Sequence, residues 1–143
     1  MTIRSMLLAA ASLLAIHGVS AAQVTTDKIM MQGGLGDEAI VKAQLKLGML
    51  RSTTGMLDSV DIRASEVDAF LDVRGMLVNV VSKGTSAKKT DDDPIAVEFR
   101  SRQLLAFSQL LQRTKPNGAD SVTVQSVQKI LDDAYRSAVS SKK

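Results

Sequence analysis

The sequence predicts an all-α protein: a small bundle of about four amphipathic helices, preceded by a cleaved signal peptide and a flexible N-terminal arm. Three observations carry this expectation. Apolar residues recur at helical spacing in four segments after residue 37. Short stretches rich in Gly, Pro, Asp and Lys separate those segments. There is no cysteine, so no disulfide supports the fold. The predicted organisation is a signal peptide over 1–22, an arm over 23–36 and a helical domain over 37–143.

The signal peptide is read from MTIRSMLLAAASLLAIHGVSAAQ. Arg4 is the only charge before Asp27, and Met6 to Ile16 is apolar apart from Ser12. A bilayer-spanning helix needs about 20 apolar residues, whereas a signal core needs about 7–15 followed by small residues. Val19-Ser20-Ala21 and Ser20-Ala21-Ala22 both fit the cleavage pattern, so cleavage is expected near Ala21-Ala22. A buried first helix is the rival, but the run is apolar on all sides. The expected destination is the periplasm or the exterior, with no membrane span in the mature chain.

Composition removes much chemistry. The only histidine, His17, lies in the signal, and the chain has no Cys and no Trp. Histidine-based triads, the usual zinc sites and a histidine pH switch are therefore absent from the mature chain. Loss of Arg4 leaves 17 of the 18 basic residues against 15 acidic ones, interspersed rather than blocked. Phe70, Phe99, Phe107 and Tyr135 are the only aromatics and do not alternate with arginines. Neither feature points to nucleic acid.

In the arm, AQVTTDKIMMQGGLG, Ile29-Met30-Met31 is an apolar patch and Gly33, Gly34 and Gly36 loosen the end. Asp37 is the expected cap of the first helix, with Ile40, Ala43, Leu47 and Leu50 on its face. The alternation Ala43, Leu45, Leu47, Met49 would instead suit a strand, and Gly55 is expected to end or kink the element. The second helix is expected from a Ser65 N-cap to Gly84, with Val67, Phe70, Leu71, Leu77, Val78 and Val81 as one stripe. A hairpin through Val73–Met76 is the rival over 66–82. Residues 83–93, KGTSAKKTDDD, read as a polar linker. Asp93-Pro94 is expected to open the third helix, with Val97, Leu104, Phe107 and Leu111 as its stripe. Lys115-Pro116-Asn117-Gly118 stops it. The fourth begins near Ser121–Thr123 and carries Val124, Val127, Leu131, Ala134 and Ala138, with Lys129/Asp133 and Asp132/Arg136 as surface pairs. No internal repeat is visible.

The candidate sites are few. Gly34-Leu35-Gly36-Asp37-Glu38-Ala39 matches G-x-G-x-x-A, but no strand is read before it, so a hinge explains it better. Asp91-Asp92-Asp93 offers carboxylates to a cation, yet Ala96 and Arg102 stand where a calcium loop needs Gly and Glu. Asp68 and Asp72 share a helix face but lie beside the stripe, in water, which leaves a carboxylate hydrolase unsupported. Met30, Met31, Met49, Met56 and Met76 are too scattered for a copper carrier. No cofactor and no metal are expected.

What remains is recognition of another protein. The speculative contact residues are Ile29, Met30 and Met31 of the arm and Lys88, Lys89, Asp91 and Asp92 of the linker. The expected function is that of an exported, non-enzymatic protein-binding protein. It would be an adaptor, an inhibitor or immunity factor, or an accessory part of an envelope or secretion machine. A holdase-like envelope stress chaperone is the alternative. The partner would be a protein of the envelope or another exported protein, and the oligomeric state is left open.

Overall fold

The computed structural model describes residues 34–142. The predicted signal peptide and most of the arm, including Ile29, Met30 and Met31, lie outside the described residues. The chain runs β1 (Ile40–Lys46), α1 (Leu47–Leu57), a 3-10 turn (Ala64–Glu66), α2 (Val67–Ser86), β2 (Pro94–Arg100), α3 (Ser101–Arg113) and α4 (Ala119–Ser140). Among the described residues there are four helices, as expected, but the all-α class is wrong. A two-stranded antiparallel sheet makes the protein mixed α/β.

Both strands fall where helix starts were predicted. In β1 the alternation wins: Val41, Ala43 and Leu45 are buried while Ile40, Lys42, Gln44 and Lys46 are exposed. That period of two is what one covered sheet face requires. In β2 the same alternation buries Val97 and Phe99. Pro94 does not open a helix; it takes the first strand position, where a missing N–H costs nothing. Asp93 caps a turn instead, its carboxylate accepting from the Thr90 N–H at 2.7 Å. Asp37 likewise caps no helix. Over 66–82 the helix reading holds and the hairpin does not. Gly84 lies inside α2, buried, rather than ending it, and α1 runs through Gly55 to Leu57. The linker shortens to 87–93.

The two halves of the domain repeat one another. Every strand position of β2 stands 54 residues after its counterpart in β1 (94 − 40 and 100 − 46). The ladder pairs Ala43 with Val97, Val41 with Phe99 and Leu45 with Ile95. Ala43 and Val97 are themselves 54 apart, so the strands are related by an approximate twofold axis through that pair. The backbone obeys it. Leu47 N–H donates to the Asp93 carbonyl (3.1 Å) and Gly48 N–H to the Asp91 carbonyl (2.9 Å). Ser101 N–H donates to Ala39 (2.8 Å) and Arg102 N–H to Asp37 (3.1 Å), the same bonds shifted by 54. Each strand thus runs directly into a helix whose first free N–H groups are satisfied by the other half. Comparing 40–86 with 94–140, only Leu50/Leu104, Leu57/Leu111, Val73/Val127, Leu77/Leu131 and Ser86/Ser140 are identical. The first four pairs are all buried. Too few identities survive for the repeat to be read from the sequence.

The core lies between the covered ribbon face and the helices. Leu47, Leu50, Leu57, Leu104, Phe107 and Leu111 come from α1 and α3, with Val73, Leu77, Val127, Leu131 and Tyr135 from α2 and α4. Phe99 and Phe107 stack at 6.0 Å. The buried Ser101 hydroxyl donates to the Gly36 carbonyl at 2.6 Å, and buried Thr53 donates to Met49 at 2.8 Å. α4 lies along β1 as well as on α1 and α3, whereas α2 packs chiefly on α1 and α3.

Gly48 is where α1 meets the other half most closely. A Cβ there would stand 2.9 Å from the Asp91 Cβ and 3.2 Å from its carbonyl oxygen. Gly48→Ala is therefore expected to destabilise the fold by about 1–3 kcal/mol. Gly55→Ala, where nothing lies within 4 Å, is expected to stabilise it by about 0.5–1 kcal/mol. Urea unfolding of the two variants checks both signs.

Candidate functional site

The described linker residues serve the fold more than a partner. Ala87 N–H donates to Lys83, Lys88 N–H to Thr85 and Lys89 N–H to Gly84, a Schellman-type ending for α2. It places Lys88 in the left-handed region at φ 57. Asp91 is a strut. Its carboxylate accepts from Arg51 Nη1 at 2.7 Å, its carbonyl holds the first turn of α1, and Arg51 Nη2 also donates to Thr85 Oγ1 at 2.8 Å. Asp92 pairs with Lys46 at 3.5 Å on the exposed surface. Lys88 and Lys89 are exposed. These four residues share a loop but do not converge on a cavity. Lys88→Gly relieves the left-handed strain and is expected to stabilise the protein by about 1 kcal/mol in urea unfolding.

The outward face of the ribbon carries Lys42, Gln44, Lys46, Ala96, Glu98 and Arg100. Its cations are matched: Lys42 with Glu98 at 3.4 Å, Lys46 with Asp92, and Arg100 and Arg102 with Glu38 at 3.3 and 3.1 Å. A half-open cavity of about 550 Å³ lies between the α1–α2 connection and the end of α3, lined by Ser59, Asp61, Ile62, Arg63, Arg113 and Lys115. Part of its chemistry is committed internally, although Arg113 Nη2 is buried without a hydrogen-bond partner. Arg113 Nη1 donates to both Glu66 carboxylate oxygens at 3.1 and 2.9 Å, and the Ser59 hydroxyl donates to the Met56 carbonyl. Among the described residues no three His, Cys, Asp or Glu side chains group as metal ligands, and no helix is long and apolar enough to cross a membrane.

Two carboxyls are held below the ordinary range. For Glu66 the main cause is the Arg63 N–H, followed by the Arg113 guanidinium; for Asp58 it is the hydrogen bond from Arg74, whose Nε lies 2.6 Å away. The folded state thus favours both ionised forms. Their stabilisation is present at neutral pH and is lost as the pH falls through and below the ordinary carboxylate range, about pH 4. Replacing Arg113 by Gln is expected to flatten that acid-side loss, measured as unfolding free energy between about pH 6 and pH 3.

The apolar stripe on α2 is covered only in part: of its six residues only Leu77 is fully buried, joined in the core by Val73. Val67, Leu71 and Val78 are 41%, 58% and 42% exposed. At spacings of four and seven they form one strip along the helix, and half-buried Phe70 and Val81 continue it toward the core. The twofold provides an internal control. The α4 positions 54 residues on from Val67, Leu71 and Val78 are Ser121, Gln125 and Asp132. Val81 corresponds to Tyr135, which is fully buried and accepts a hydrogen bond from the Leu35 N–H at 3.2 Å. The counterpart of Leu35 in the other half is Lys89. The two helices therefore differ in where they expose apolar surface: α2 shows Val67, Leu71 and Val78, whereas α4 has an exposed Gln125 in place of Leu71 and an exposed Val122 in place of Asp68.

No protein-family model matches the chain, and neither a curated protein nor a solved structure does.

Proposed function

We propose that this is an exported protein-binding protein, an adaptor, an inhibitor or immunity factor, or an accessory part of an envelope machine, and that the open flank of α2 is its docking surface. The flank carries the reading. Three large aliphatic side chains are exposed in a row at positions where the equivalent helix is polar, so the architecture does not require them. Export rests on the features of residues 1–22. The arm patch Ile29-Met30-Met31 stays in the proposal as a second contact.

The balance of charge on the ribbon supports a protein partner over nucleic acid. A two-stranded ribbon has a shape that a DNA major groove admits, but phosphate binding needs uncompensated cations, and those of the ribbon face carboxylates.

The test is capture of the tagged full-length chain from the envelope of its native host after gentle cross-linking. One stoichiometric partner is expected, lost in Leu71→Glu and retained in Gln125→Glu, with helix content unchanged in both. Retention of that partner by Leu71→Glu would remove α2 as the docking surface. Many substoichiometric clients, with suppressed aggregation of unrelated proteins, would instead mark a holdase.

A further inference from the structure

We infer that the occupant of the α2 flank is α2 of a second copy of the chain, packed antiparallel. This inference rests on the flank being a protein-binding surface and names its partner.

The warrant is self-complementarity. A twofold partner requires that a residue before the centre of the helix meet its complement after it. The centre here is the Gly75–Met76 bond. About it, Leu71 of one helix falls between Val78 and Ser82 of its mate, so the two strips interleave. Reversal about the Gly75–Met76 bond exchanges Phe70 with Val81 and Asp68 with Lys83. In an antiparallel helix pair the same side of each stripe faces its mate. Phe70 and Val81 lie on one side of the strip and Asp68 and Lys83 on the other, so each pair meets its complement. A parallel pair would set Asp68 level with Asp68 and forfeit both ion pairs.

The centre is also open. A Cβ on Gly75 would meet nothing within 4 Å, so a second helix can approach the backbone closely there. Arg74, the one charge near the middle of the strip, is tied back to Asp58 at 2.6 Å and leaves the strip uncovered. The spacing from Val67 through Leu71, Gly75, Val78 and Ser82 is four, four, three and four, which suits a shallow left-handed crossing. α4 lacks this pattern. The positions corresponding to Asp68 and Lys83 there are Val122 and Ser137, and the Gly75 position is Lys129. α2 has 20 residues, about 30 Å of helix. One helix pair of that length gives a small interface, below about 1,200 Å² in total, so the association is weak and reversible.

Sedimentation equilibrium of the purified, tagged full-length product, over concentrations up to about 1 mM, tests this. The wild type is expected to show a concentration-dependent monomer–dimer equilibrium. Leu71→Glu should weaken dimerisation by roughly tenfold or more, because it desolvates a charge against an apolar surface. Asp68→Lys should weaken it several-fold, and Asp68→Lys combined with Lys83→Asp should restore it; Gln125→Glu should leave it unchanged. Circular dichroism and the thermal midpoint establish that each variant folds. A wild type that stays monomeric to about 1 mM overturns the inference, as does a dimer indifferent to Leu71→Glu. If the wild type is monomeric while Leu71→Glu still loses a heterologous partner in the capture experiment, the docking surface stands and only its assignment to a second copy falls.

Discussion

Four backbone hydrogen bonds hold the two halves together at the points where each strand becomes a helix. Leu47 and Gly48 donate to Asp93 and Asp91; Ser101 and Arg102 donate to Ala39 and Asp37. An isolated two-stranded sheet is marginal in water, and these strands lack even a hairpin turn, since α1 and α2 lie between them. The cross-half bonds couple strand pairing to helix initiation. Each is worth only about 1 kcal/mol net, but a buried N–H left unpaired would cost about 1–3 kcal/mol. Ribbon and helices therefore form together, and Gly48 is needed because Asp91 must come so close.

The approximate twofold separates what the fold needs from what it merely permits. The fold needs Leu50 and Leu104, Leu57 and Leu111, Val73 and Val127, and Leu77 and Leu131, which fill equivalent places in both halves. It does not need Val67, Leu71 and Val78 to be apolar, because Ser121, Gln125 and Asp132 serve at the same stations. It buries Tyr135, whose hydroxyl accepts from the Leu35 N–H, but leaves Val81 half-buried. Departures of this kind from the shared pattern are what the proposed docking role of α2 rests on.

Charges in this molecule do different work from what their clustering suggests. Asp91-Asp92-Asp93 looks like a cation loop or a solvated linker. In the fold Asp91 braces Arg51 and α1, Asp92 pairs with Lys46, and Asp93 closes its own turn. Lys42, Lys46 and Arg100 would be a basic ribbon if Glu98, Asp92 and Glu38 were not brought opposite them. Apart from the Asp93 turn, none of these pairings joins neighbours in sequence, so linear charge patterning could not reveal them. The stripe on α2 was legible as a stripe, but periodicity marks which residues are apolar and not which are covered.

The sequence by itself determined that helices lie within 65–84, 94–114 and from about 121 onward, though not where they begin and end, because long amphipathic runs, turn signals and i,i+4 pairs are local properties. It determined, too, that the chain has no cysteine and a single histidine, His17. The tertiary structure decided the rest. Residues 40–46 and 94–100 are short enough to satisfy either period, and only pairing with each other, 54 positions apart, makes the extended form the better one. The same pairing fixes the twofold, the role of Asp91 and the exposure of Val67, Leu71 and Val78. A partner distant in the chain supplies the hydrogen bonds and the covering surface, and neither can be written in a local pattern.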